Sequence, residues 1–294
     1  MEQMVMAEPM PTLLVRYGEI GLKSESVRRR FEHQLLDDIR KRHVLANTAC
    51  VISQTRGRLF VDSDDWRKSC EILSRTFGIV SFSPVERASS GMESLTKSVV
   101  VFSRPLMFKG AAFAIRSRRT GNHSYTSQSL AGHLGEAVLG EHVGLGIKVG
   151  LDEPDVEIFV EVRDRNAYLF SSVLPGPGGM PLGSQGRVLS SVDSENGLAS
   201  TWLMMKRGCS ALVATRTESL LEPLRKWYPH LKIVEPEDDL FSLARANGCI
   251  GIAFAWRLDD IEKHGAPKGE LPVFYPLVGM SEKEVSGLLD RIRG

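Results

Sequence analysis

The spacing of apolar and polar residues changes period repeatedly along this chain, and each change marks an element. Leu13–Tyr17 is a short apolar run that predicts a strand. Val27, Phe31, Leu35 and Ile39 then recur every fourth residue, one apolar face of a helix, with Ser24 or Ser26 able to cap its first turn. Val51–Ser53 and Arg58–Val61 read as two strands around a turn at Arg56-Gly57. Asp64–Phe77 reads as a second helix and Ile79–Pro84 as a closing strand. The order βαββαβ is a ferredoxin-like arrangement.

A second set of elements follows. Met92–Phe102 predicts a helix, Ala111–Ser117 a strand, and Ser127 to about Leu139 a helix that Thr126 or Ser127 can cap. Two strands come next, Val156–Val162 and Ala167–Val173, with Arg165-Asn166 in the turn between them. In the first of these, Val156, Ile158, Val160 and Val162 alternate with positions that include Glu157 and Glu161. A period of two puts one face on a core and the other in water.

Pro175-Gly-Pro-Gly-Gly179 interrupts this pattern. Prolines and glycines at this density sustain neither a helix nor a central strand, so the segment reads as a linker. Beyond it, strands at Val188–Val192, Ala211–Ala214, Lys232–Val234, Ile250–Phe254 and Pro272–Pro276 alternate with helices. The helices are Leu198–Lys206, Glu218–Trp227, Asp239–Ala246 and Glu282–Ile292. Alternation of this kind predicts a mainly parallel five-stranded sheet covered by helices. The expected class is therefore α/β and α+β, in three units at 11–88, 89–175 and 176–294.

Composition narrows the picture. Hydrophobic residues make up 42% and charged residues 25% of the 294, which suits packed domains. The net charge is only +1, so a nucleic-acid partner has to be sought in local clusters. Cys50, Cys70, Cys209 and Cys249 form no C-x-x-C pair, and no metal site is expected. Met1–Met10 lacks a basic start and an apolar run, so no signal peptide is expected there. No apolar run approaches the roughly 18 residues of a membrane helix. A cytoplasmic setting is the expectation, with no membrane partner.

One cluster stands out. From Ser94 to Gly135 there is no Asp or Glu, while Lys97, Arg104, Lys109, Arg116, Arg118 and Arg119 fall within that span. His123, Ser124, Tyr125, Thr126, Ser127 and Gln128 add groups that can bond phosphate oxygens, and a helix starting at Ser127 adds free N–H groups. The alternative is a solvated basic face. Arg28-Arg29-Arg30 on the first helix reads as a solubilising surface, and Lys23 and Arg16, close in sequence, could extend the patch.

Several segments resemble one family. Val15-Arg-Tyr-Gly-Glu-Ile-Gly-Leu-Lys23 is similar to the opening of ThiI-type tRNA 4-thiouridine synthetases. Ala114–Gln128 resembles the signature stretch of their THUMP domain, and Pro154–Ile158, Leu174–Gly183, Trp202–Cys209 and Leu271–Met280 resemble other segments in family order. The resemblance implies a ferredoxin-like domain, a THUMP domain and a PP-loop ATP-pyrophosphatase domain. It also implies tRNA as partner, held by the first two domains at its acceptor-stem end. Lys23, Arg30, Lys109, Arg116, Arg118, Arg119, His123 and Ser127 are the expected RNA contacts. In the family, ATP and Mg²⁺ serve to adenylate a uridine at position 8 for replacement by persulfide sulfur, and the same proteins can supply sulfur for thiamine biosynthesis. A homodimer and a partner protein in thiolation are further family expectations.

The third unit departs from that pattern where the family's PP-loop reads Ser-Gly-Gly-x-Asp-Ser. Aligned on Trp202–Gly208, Val192, Asp193 and Ser194 stand in place of Ser-Gly-Gly, and Asn196-Gly197 in place of Asp-Ser. Those glycines let amides approach a phosphate, whereas Asp193 and Glu195 oppose one. The expectation is a remnant loop without ATP or another cofactor, no assigned catalytic residue, and a tRNA-binding protein that is not catalytic alone. The alternatives are an active 4-thiouridine synthase with an altered loop and a sulfur-pathway protein acting through Cys209 or Cys249.

Overall fold

A computed structural model describes residues 11–55 and 57–294; Met1–Met10 and Arg56, and with them the signal-peptide reading and part of the expected turn, lie outside the described residues. The first unit runs β1 (Thr12–Tyr17), α1 (Glu25–Leu45), β2 (Cys50–Thr55), β3 (Arg58–Ser63), α2 (Trp66–Ser74) and β4 (Ile79–Ser89). Phe31, Leu35, Leu36 and Ile39 of α1 bury against Leu13, Val15, Leu59 and Val61 of the sheet. Ser24 occupies the cap position of α1 without a side-chain bond. Helix α2 is shorter than expected at both ends. Asp65 stops it as cap by accepting from the Lys68 amide, and Phe77 leaves the helix to pack elsewhere.

The second unit runs α3 (Met92–Ser103), β5 (Ala112–Thr120), α4 (Ser127–Glu141), β6 (Lys148–Val149), β7 (Val156–Arg163), β8 (Asn166–Phe170) and β9 (Leu174–Pro175). Strands β6 and β9, two residues each, are too short to show a period and were not expected. Both units share one nine-stranded sheet, in the order β2-β3-β1-β4-β8-β7-β5-β6, with β9 also on β4. Strand β4 makes this possible. It runs past Pro84, pairs β1 over its first part and β8 from Glu86 to Ser89, and so crosses position 88–89. Helices α3 and α4 bury Leu95, Val99, Leu130, Leu134 and Val138 on Phe113, Ile115, Ile158, Val160, Val162 and Leu169. The strand residues between these point to the opposite face of the sheet.

The third unit runs β10 (Arg187–Ser191), α5 (Glu195–Lys206), β11 (Ser210–Ala214), α6 (Glu222–Trp227), β12 (Lys232–Val234), α7 (Leu240–Ala246), β13 (Gly251–Ala253), α8 (Leu258–His264), β14 (Val273–Phe274) and α9 (Glu282–Arg293). Its five strands lie in the order β12-β11-β10-β13-β14, and every pairing is parallel. Helix α8 escaped the sequence reading because it buries no residue and shows no apolar stripe. The order reverses between β10 and β13, so the carboxyl ends of those strands form the switch point where such sheets accept ligands.

Pro175–Gly179 divides the two sheets but is bonded down along its length. The amides of Gly176 and Gly178 donate to Val80 and Ile79 at 2.9 and 2.7 Å, and Met180 donates to Lys206 at 3.0 Å. Gly179 has φ +76°, and a Cβ there would lie 2.1 Å from the Lys206 carbonyl oxygen, so only glycine fits this crossing. Phe77 of the first unit packs against Trp202 and Trp227 of the third, with ring centroids 5.4 Å away in both cases. Buried Arg42 of α1 donates to the Trp227 carbonyl oxygen and, at 3.0 Å, to Asp38. The first and third units are thus packed together.

Candidate nucleic-acid interface

The site begins with the alternation of β5. Phe113 and Ile115 turn toward the helices, which sends Arg116 and Arg118 to the opposite face. In the parallel register Arg116 stands beside Phe159, and Arg118 beside Glu161, both on β7. Phe159 stacks on Phe170 of β8 at 5.0 Å and 6°. From the first unit, Arg16 reaches over the Phe170 ring at 4.7 Å and donates to the Ser83 hydroxyl at 3.0 Å. These residues, with Ser127 and Gln128 at the start of α4, line a hollow of about 550 Å³.

The charge in this hollow is concentrated. Burial pulls the Arg16 guanidinium down to about 10; Glu161 opposes that shift, while Arg58, Arg118 and Arg163 reinforce it. Arg16 remains a cation at neutral pH. Arg118 has no ion-pair partner among the described residues. The span free of acids in sequence is less so in space. Lys97, Arg104 and Arg116 pair with Glu93, Glu141 and Glu157 at 2.7, 2.8 and 2.8 Å.

The structure brings Arg116, Arg118 and Ser127 to one hollow and leaves the other expected contacts elsewhere. Arg119 alternates to the helix side, where it donates to the Gly121 carbonyl at 3.3 Å. His123 is bound by its Nε2 to the Asp164 carbonyl at 2.7 Å and stacks on Tyr125. Lys109 precedes β5, at the other end of that strand from Arg118. Lys23 is exposed after a short 3-10 turn at Glu19–Leu22, and Arg30 lies on α1 above the Phe31 ring. Thr126, not Ser127, caps α4, accepting from the Ser129 amide at 3.0 Å. Sequence reasoning passed over Phe159 and Phe170. The available signal was an aromatic at a position of β7 that its alternation assigns to the polar face.

At the switch point of the third unit, the loop after β10 is knitted to itself. The Ser191 hydroxyl donates to the Asp193 carboxylate at 2.8 Å, and Thr215 donates to the Val192 carbonyl at 2.7 Å. The Ser194 hydroxyl caps α5 by accepting from the Gly197 amide at 3.3 Å. A Cβ on Gly197 would sit 2.7 Å from the Ser191 carbonyl oxygen, so this glycine serves the close approach of helix to strand. Asn196 lies in the first turn of α5, and neighbouring Glu195 pairs with Arg293. Burial pushes the thiols of Cys209 and Cys249 up, and that of Cys70 up to about 11. No helix among the described residues is long and apolar enough to cross a membrane.

Comparison with known proteins matches this architecture. Residues 12–83 match the ThiI ferredoxin-like domain and residues 89–172 the THUMP domain. The chain is thus a THUMP-domain protein, with its THUMP unit joined to the preceding domain through β4. It is 40% identical over 209 residues to a probable tRNA sulfurtransferase of Methanothermobacter thermautotrophicus, covering 68% of this chain and 51% of that one. A probable tRNA sulfurtransferase of Saccharolobus islandicus is 37% identical over 228 residues, covering 71% and 58%. The chain belongs to the ThiI-type family, and it spans about half the length of the curated relatives it matches. PH1313 from Pyrococcus horikoshii Ot3 superposes with a TM-score of 0.82 at 26% identity, over 96% of this chain and 99% of that one. A 4-thiouridine synthetase solved as an RNA complex with bound ATP shares the fold, with a TM-score of 0.76 at 21% identity over 96% and 85%.

Proposed function

We propose that this chain binds structured RNA, tRNA in particular, on the sheet face shared by its first two units, and is not catalytic on its own. The observation that carries the reading is the hollow where Arg16 of one unit and Arg118 of the other flank the stacked Phe159 and Phe170. Guanidinium groups suit phosphate oxygens, and the stacked rings hold the Arg16 guanidinium in place to meet them. Recognition by backbone and shape fits duplex RNA, whose major groove hides its base edges. The relatives named probable tRNA sulfurtransferase support tRNA as the RNA. A cytoplasmic setting agrees with this partner.

The non-catalytic half of the proposal rests on the loop from Val192 to Gly197. A triphosphate needs converging free amides, and here the Gly197 amide is taken by Ser194 while Asp193 and Glu195 add negative charge. These residues do not fit ATP, so no adenylation step is assigned to them. The raised thiols likewise argue against a persulfide carrier at Cys209 or Cys249 and favour a partner protein for any sulfur step. The second reading is an active 4-thiouridine synthase or a sulfurtransferase linked to thiamine synthesis; the relatives named probable tRNA sulfurtransferase favour its tRNA half. Titration of tRNA at several salt concentrations, with calorimetry for ATP and Mg²⁺, tests both. The expected result is salt-sensitive tRNA binding and no ATP heat. ATP binding, or thiolated tRNA formed by the purified chain, overturns the non-catalytic half. Absence of RNA binding at low salt overturns the first half.

A further inference from the structure

Glu161 is an acid in the middle of the basic face, and it is 5% exposed. Its carboxylate lies 2.9 Å from Nε of Arg58, and Arg58 Nη2 also donates to it at 3.4 Å. Nε of Arg163 donates to it at 2.7 Å. Arg118 is its register neighbour on β5, and Arg16 feels its charge from β1. One buried carboxylate therefore stands among four guanidiniums carried on four strands, β1, β3, β5 and β7. Arg16 and Arg58 belong to the first unit, Arg118 and Arg163 to the second.

A buried carboxylate on a phosphate-binding face is costly by charge alone, since it repels the ligand. Its burial and its Arg58 contact across the two units point to another use. Neighbouring like charges repel one another, and a central anion offsets that repulsion. We infer that Glu161 is a positioning residue for RNA binding: it ties Arg58 of the first unit to Arg163 of the second and holds Arg16 and Arg118 at the spacing the RNA meets. This rests on the RNA-binding reading above.

Charge counting and positioning make opposite forecasts for Glu161→Gln. The substitution raises the net charge by one, so a face that works by charge alone binds RNA more tightly. A positioned face binds more weakly, and its salt slope falls by about one phosphate contact because the guanidiniums no longer engage together. Glu157→Gln on the same face is the control. Glu157 is partly exposed and, among the described residues, pairs with Arg116 alone, so its loss leaves binding unchanged or stronger. The measurement is tRNA affinity across a salt series, made below the melting temperature of each variant. If Glu161→Gln does not fold, Arg58→Lys replaces it: charge is conserved, the planar fork is lost, and the same weakening is expected. Equal or tighter binding by a folded Glu161→Gln, or by Arg58→Lys, overturns the inference while leaving the RNA-binding reading intact. Failure of the unaltered chain to bind RNA overturns both.

Discussion

The guanidinium of Arg16 lies 4.7 Å above the ring of Phe170, and this contact joins the first unit to the second across the face of their common sheet. Burial at that contact is the main reason Arg16 holds its proton less tightly than a free arginine, yet it stays charged at neutral pH. A cation fixed on an aromatic plane is preorganised, so binding an anion there costs little side-chain entropy.

Arg16→Ala is therefore expected to weaken tRNA binding and reduce the salt slope by about one contact. Arg119→Ala, on the helix side of β5, is expected to change both far less. Measuring the two variants side by side in a salt titration separates the hollow from general positive charge. Equal effects would remove the hollow from the binding surface.

Phe77 is fully buried between Trp202 and Trp227, at the seam of the first and third units. Phe77→Ala is expected to cost about 3–5 kcal/mol at that seam. Because the loss falls between units, calorimetry should resolve two melting transitions where the unaltered chain gives one. A single transition displaced as a whole would mean that the units remain coupled without this ring.

Burial raises the Cys70 thiol from 9.0 up to about 11, with Glu71 adding to the shift. The thiol is thus protonated at pH 8 and forms its thiolate only in strongly alkaline solution. Iodoacetamide labelling followed by mass spectrometry should give slow modification of Cys70 at pH 8, with a rate that climbs toward pH 11. Rapid labelling at pH 8 would show an activated thiol and contradict the burial assigned to Cys70.

His43 is buried, with Nδ1 2.8 Å from the Ile39 carbonyl and Nε2 3.0 Å from the Ser69 hydroxyl. Burial lowers its pKa, against smaller opposing effects from the Ile39 bond and Asp64. The unfolded chain then binds the proton more readily, so this contribution to stability is present above about pH 6.5 and is lost as pH falls toward the folded value. Denaturant midpoints are expected to drop between pH 7.5 and 5.5, and His43→Gln should flatten that part of the profile. A profile indifferent to the substitution would place the acid sensitivity in other groups.

How far the site could be read in advance depends on which distance separates its parts. Arg116 and Arg118 were legible as part of a stretch without acids, but grouping by stretch also took in Arg119, which alternation along the strand sends to the other side. Helix α8 was not legible, since its residues bury nothing and leave no periodic mark. The loop after β10 was legible in its missing glycines. Its internal bonding, with Thr215 of the next strand holding Val192, required the parallel pairing of β10 with β11.

By itself the sequence determined the types of the longer elements, the ferredoxin-like order, the parallel character of the last sheet and the basic character of the second unit, while the THUMP assignment came with the family resemblance. Each of these depends on periods and clusters within a short stretch of chain, where the physics is local. Tertiary structure alone decided that β4 serves both of the first two units, that Pro175–Gly179 is pinned rather than loose, and that Phe77 belongs to the core of the third unit. It also decided that Glu161 sits among Arg16, Arg58, Arg118 and Arg163. Those residues lie on four strands, and an amino-acid pattern records which side of its own strand a residue faces but not which strand lies beside it.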